Sequence, residues 1–111
     1  MFEATINGIE ITISEKGMSD NAIAFAEKVL NEYPGKVTAI SEYLSQDEGI
    51  MTCYDNITKE EIAEKLHEPK IRIMRGGGML SYCNHELDAG HIIDLEFDGV
   101  LETFGEVDID G

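Results

Sequence analysis

After Arg75 the chain contains no lysine or arginine, yet residues 76–111 carry nine carboxylates. The acids alternate with apolar residues. Asp94, Glu96 and Asp98 interleave with Ile93, Leu95 and Phe97, and Glu106, Asp108 and Asp110 interleave with Val107 and Ile109. A period of two sends successive side chains to opposite faces of an extended strand, so the tail predicts ordered β-ribbons with one apolar and one acidic face. A disordered acidic run would lack the apolar half of that pattern. The tail carries −9 of the formal net charge of −15. An ordered surface of one sign suits a cationic partner or a metal ion, and it repels nucleic-acid phosphates.

A chain of 111 residues, 42% of them apolar, is expected to form one domain over its whole length, with a core that needs no covalent staple. No apolar run approaches the length of a membrane span. Met1 leads straight into Phe2-Glu3-Ala4-Thr5-Ile6, which reads as a strand and not as a secretory leader. Cys53 and Cys83 then read as reduced thiols, and the expected compartment is the cytoplasm.

Local signals give an element order. Phe2–Ile6 and Ile9–Ile13 are short alternating runs joined by Asn7-Gly8, a pair suited to the positive φ angles of a type I′ hairpin turn. Ser19 is the expected N-cap of a helix over Asp20–Tyr33, with Met18 and Ile23 as a staple around it. Ile23, Ala26, Leu30 and Tyr33 set its apolar stripe, and Pro34-Gly35 is expected to end it. A second helix is expected over about Lys36–Gln46. A third, over Lys59–His67, opens on a capping box of Thr58 with Glu61, stapled by Ile57 and Ile62. Four strands follow, over Lys70–Arg75, Met79–Asn84, His91–Phe97 and Glu106–Asp110. The apolar positions change parity at Gly105, which predicts one extra residue there, a β-bulge or loop. The order predicts an α+β fold: an antiparallel sheet of an N-terminal hairpin plus four C-terminal strands, with about three helices packed on one side.

Chemistry-bearing motifs are sparse. Asp94-x-Glu96-x-Asp98-Gly99 resembles the first half of an EF-hand loop, but Gly105 stands where the bidentate glutamate belongs, and the flanks alternate as strands. Cys83, His85, Asp88 and His91 form a short-range cluster that could hold a divalent metal ion, although zinc sites usually need better-paired spacing. His85-Glu86 lacks the second histidine of a zincin motif, because Ala89 stands in its place. Cys83 with His85 or His91 could also make a nucleophile pair, but neighbouring carboxylates disfavour a thiolate, and Cys53 has no histidine near it in sequence. Arg72-x-x-Arg75-Gly76-Gly77-Gly78 reads as a hairpin turn and not as a phosphate cradle.

His91-Ile92-Ile93-Asp94-Leu95-Glu96-Phe97-Asp98-Gly99, followed by Gly105-Glu106-Val107-Asp108-Ile109-Asp110-Gly111, resembles the strand–turn–strand ending of several families of small bacterial proteins. Ile6-Asn7-Gly8-Ile9-Glu10-Ile11 is similar to their opening hairpin. Some of these families are uncharacterised, and others are immunity proteins of polymorphic toxin systems. The resemblance implies an acidic cytoplasmic protein that neutralises a partner by covering its active surface, and it implies no catalytic residues.

The leading expectation is therefore a non-enzymatic binding protein without a cofactor. Asp94, Glu96, Asp98, Glu106, Asp108 and Asp110 would dock a cationic protein, a toxin among the candidates, but neither nucleic acid nor membrane. The alternative is a metal-binding protein or metal-dependent enzyme using Cys83, His85, Asp88 and His91.

Overall fold

The computed structural model describes residues 2–6, 8–13 and 20–111. Strands β1 (Phe2–Ile6) and β2 (Ile9–Ile13) are followed by helices α1 (Asp20–Ser45), α2 (Glu48–Cys53) and α3 (Lys59–Lys65). Strands β3 (Lys70–Met74), β4 (Gly77–Tyr82), β5 (Ile92–Asp98) and β6 (Thr103–Asp110) complete the chain. One six-stranded sheet takes them in sequence order, β1-β2-β3-β4-β5-β6. Four pairings are antiparallel; β2 and β3 run parallel, because the helical segment returns the chain to the same end of the sheet. The α+β class follows from the sequence pattern, with this one parallel pair as its refinement.

The core lies between the helices and one sheet face. Ile9, Ile11 and Ile13 of β2, Ile71 and Ile73 of β3, Leu80 and Tyr82 of β4, and Ile93, Leu95 and Phe97 of β5 are all buried. They form one apolar cluster with Val29, Leu30, Ile40 and Leu44 of α1, Ile50 of α2, and Ile62 of α3. Burying each such leucine or isoleucine contributes about 1.5–3 kcal/mol. The two core phenols satisfy each other, Tyr33 Oη lying 2.8 Å from Tyr82 Oη. Burial pushes the Tyr33 pKa up to about 12.

The expected helix boundary fails. Pro34-Gly35 does not end a helix: Pro34 lies inside the 26-residue α1. Proline removes one helical N–H and crowds the carbonyl four residues back, that of Leu30. Ala26, Val29, Leu30, Tyr33, Ile40 and Leu44 nevertheless stay in phase across it, and all six are buried, so packing outweighs the local cost. Pro34 itself is exposed. The short α2 was not expected at all; it starts on Asp47, whose carboxylate accepts the Ile50 N–H at 3.1 Å.

Other signals hold. Thr58 Oγ1 accepts the Glu61 N–H at 3.2 Å and also lies 3.2 Å from the Glu61 carboxylate, and Ile62 is buried. Of the expected N-terminal features, Asn7, Met18 and Ser19 lie outside the described residues. Gly8 has φ +82° in a two-residue connection between Ile6 and Ile9, and Ile23 is 42% exposed, outside the core stripe. The glycine triplet does more than turn the chain. Gly77 and Gly78 belong to β4, and a Cβ on Gly78 would collide with the Arg72 carbonyl and the Phe97 ring. Among the described residues, no helix is long and apolar enough to cross a membrane.

Candidate functional site

Because β5 buries Ile93, Leu95 and Phe97, and β6 turns Val107 and Ile109 inward, the acids between them point away from the helices. On β5, Asp94 and Glu96 are half-buried and Asp98 is exposed; on β6, Glu106, Asp108 and Asp110 are exposed. Register brings them together, for Asp94 pairs directly with Asp108, and Asp110 lies opposite Ile92, diagonal to Asp94.

The expected bulge holds the rest of the face in place. Leu95 pairs with Val107 but Phe97 pairs with Phe104, so Gly105 and Glu106 together face the single residue Glu96. The extra residue keeps Phe104 and Val107 on the core side and Glu106 outside. A Cβ at Gly105 would lie 3.3 Å from the Glu96 carboxylate. The Gly105 carbonyl accepts a 2.7 Å hydrogen bond from Tyr43 Oη of α1, and the Tyr43 and Phe104 rings pack at 5.5 Å. The bulge is thus tied to the helix layer.

Like charges at these distances compete. The Asp110 pKa is raised, first by a hydrogen bond shared with Asp94, then by desolvation, then by repulsion from Asp94 and Asp108. None of the six acids makes an ion pair with a basic group of the described residues, whose salt bridges join Lys59 to Glu42, His67 to Glu86, Lys70 to Glu10, and His91 to Asp88. Lys70 and Arg72 of β3 do share the outer face, two strands from β5. At a strand spacing of about 4.8 Å they stand roughly 10 Å away, close to one Debye length at physiological salt. The face is therefore bipolar, with a shallow groove of about 260 Å³ between Lys70 and Arg72 on one side and Asp94 and Asp110 on the other.

The second set of expected residues divides. Cys83 and His85, two positions apart, would share a face if the strand ran on through them, but β4 ends at Tyr82, and the alternation ends with it. Cys83 is exposed and borders the outer groove, whereas His85 is buried beneath the loop that follows. Both His85 ring nitrogens are engaged. Nδ1 accepts the Leu87 N–H at 3.1 Å, which leaves Nε2 to donate to the His91 carbonyl at 2.6 Å. His85 is a loop clasp and has no lone pair left for a metal.

Asp88 and His91 do meet. Asp88 Oδ2 lies 2.7 Å from His91 Nδ1, and Oδ1 accepts the N–H groups of Gly90 and His91 at 3.2 and 3.1 Å. Desolvation alone would raise the Asp88 pKa, but the hydrogen bonds from His91 and Gly90, with the nearby Tyr54 hydroxyl, outweigh it and lower the value. The thiol beside them is Cys53, from the end of α2, and not Cys83. Sequence reasoning passed over Cys53 because 38 positions separate it from His91 and only the packing of α2 joins them; the Asp47 N-cap was the one local hint of that helix.

The Asp94–Gly99 run forms a strand and its turn, with Gly99 at φ +63°, and not a helix-flanked calcium loop. Compared with protein-family models, with curated proteins and with solved structures, the chain matches none.

Proposed function

We propose that the protein is a non-enzymatic binding protein that docks a cationic protein on the outward face of β5 and β6. One observation carries this reading: Asp94, Asp108 and Asp110 are held against one another on neighbouring strands, with no basic side chain of the described residues paired to them. Directly opposed like charges destabilise a sheet, so the arrangement carries a cost in the free protein that a bound cation would relieve. The likeness of His91–Gly99 and Gly105–Gly111 to the ending of immunity proteins of toxin systems supports a basic toxin as the partner. Lys70 and Arg72 across the groove add orientation, since a partner docked with its basic patch on β5–β6 would place acidic groups toward β3.

The test replaces Asp94, Glu96 and Asp108 together by lysine and compares the variant with the parent chain in pull-downs from the native cell lysate. The expected result is loss of basic proteins retained by the parent, with an association rate for those proteins that falls steeply as salt rises. An unchanged set of captured proteins and a flat salt dependence would overturn the reading.

A further inference from the structure

The geometry points to a divalent transition-metal site, of zinc type, built by Cys53, Asp88 and His91 at the opposite end of the logic from the acidic face. One donor atom from each residue, a thiol sulfur, a carboxylate oxygen and an imidazole nitrogen, lies within 4.8 Å of the other two. The shape of that set decides between two chemistries. A nucleophile–base–orienter chain is extended, with the imidazole standing between thiol and carboxylate. Here the three donors form a closed triangle, the sulfur lying within 4.8 Å of the carboxylate as well as of the ring. A carboxylate beside a thiol opposes thiolate formation, which is wrong for a nucleophile. A cation in the centre removes the conflict: a Cys53 thiolate and the Asp88 carboxylate balance a dication, and a neutral His91 supplies the third donor.

Two of the three donors already meet. Asp88 Oδ2 and His91 Nδ1 face each other at 2.7 Å across one proton, and a dication entering the triangle takes that proton's place, the proton moving to Nε2 so that His91 stays neutral. Of roughly four lone-pair positions on the Asp88 carboxylate, the two backbone N–H groups and His91 occupy three. One remains on Oδ2. A second, independent observation marks the same place. The Tyr54 hydroxyl is fully buried and interacts with Asp88 and Cys53, yet makes no well-formed hydrogen bond. An unpartnered buried hydroxyl is costly, and a metal-bound water or the metal itself would satisfy it. Cys53 is exposed, so an ion can enter from solvent, and three protein donors leave one position open. The sulfur selects zinc, cobalt or copper over calcium and magnesium. Binding replaces the S–H bond by an S–metal bond and releases one proton to solvent.

The site uses none of the six acids of the proposed docking face, so each reading can fail alone. The test titrates the metal-free full-length protein with Co²⁺ and then with Zn²⁺. One equivalent of Co²⁺ is expected to bind with a thiolate-to-metal charge-transfer band, which Zn²⁺ then bleaches. Cys53→Ser should abolish the band and Cys83→Ser should keep it. His91→Asn should weaken Zn²⁺ binding by more than the roughly 10- to 100-fold typical of losing an outer-sphere partner. Thermal melts of each metal-free variant separate lost ligation from lost folding. No saturable binding, a band that survives Cys53→Ser, or binding that instead tracks Asp94→Asn and Asp108→Asn would overturn the site. So would alkylation of Cys53 far faster than Cys83 without metal, which would assign the triangle to thiol chemistry.

Discussion

Asp88 and Asp110 are the same side chain on the same loop-and-ribbon end of the molecule, yet their proton affinities move in opposite directions. Asp88 sits in a turn whose backbone N–H groups and histidine are aimed at it, and its pKa falls. Asp110 sits on an edge strand diagonal to Asp94 and beside Asp108, and its pKa rises. The loop surrounds a carboxylate with donors; the sheet stacks carboxylates against each other. Only the first arrangement stabilises the free fold, which is why the second reads as a surface waiting for a partner.

The largest expected break in this contrast is His85→Ala. The residue is buried, clasps Leu87 and the His91 carbonyl, and meets the Tyr54 ring edge-on at 6.5 Å. Its loss should cost about 2–3 kcal/mol in urea denaturation. The Asp88–His91 geometry should loosen while cationic binding at β5–β6 is retained; equal loss of both would show that the two regions are one unit. Next is Asp88→Asn, which keeps an acceptor for the backbone but presents an amide of the wrong polarity or charge to His91. About 1–2 kcal/mol should be lost at neutral pH. For a carboxylate lowered on folding, stabilisation is present above the unfolded pKa of about 3.9 and vanishes as pH falls through the folded value. Parent and variant should therefore converge in acid-titrated melts.

Much of this was legible in local sequence. The parity change at Gly105 reports the bulge because a sheet's period of two tolerates no slip. Thr58-x-x-Glu61 reports the start of α3 because capping uses only neighbouring groups. What was missed depends on distant packing. Pro34 reads as a stop until Ile40 and Leu44 are seen in phase with Val29 and Leu30, and a six-residue α2 containing Gly49 has no periodicity to detect. The Cys53 triangle inherits that blindness, since α2 alone carries the thiol to the loop. His85 misled for the opposite reason: nearness in sequence to Cys83 suggested a shared site, and the chain leaves the strand between them.

A smaller effect tests how the acidic face is held. Tyr43→Phe removes the hydroxyl that binds the Gly105 carbonyl and should cost about 1 kcal/mol. The bulge then loses its tie to α1, and amide exchange should accelerate at Gly105 and Glu106 while remaining unchanged at Asp88 and His91.

The smallest expected effect has the opposite sign from all the others. Asp110→Asn removes one member of the stacked carboxylates, so it should stabilise the protein. A carboxylate raised on folding binds protons more readily in the native state, so its penalty is absent below the unfolded pKa and complete above the folded one. The gain in melting temperature should therefore appear only as pH rises through the acid range, persist at neutrality, and shrink in high salt, which screens exposed charges. A destabilised Asp110→Asn protein at low ionic strength would mean that Asp94 and Asp110 hold the edge strand by sharing a proton. In that case β5–β6 would be built for its own stability, and the argument from unrelieved charge to a cationic partner would fail.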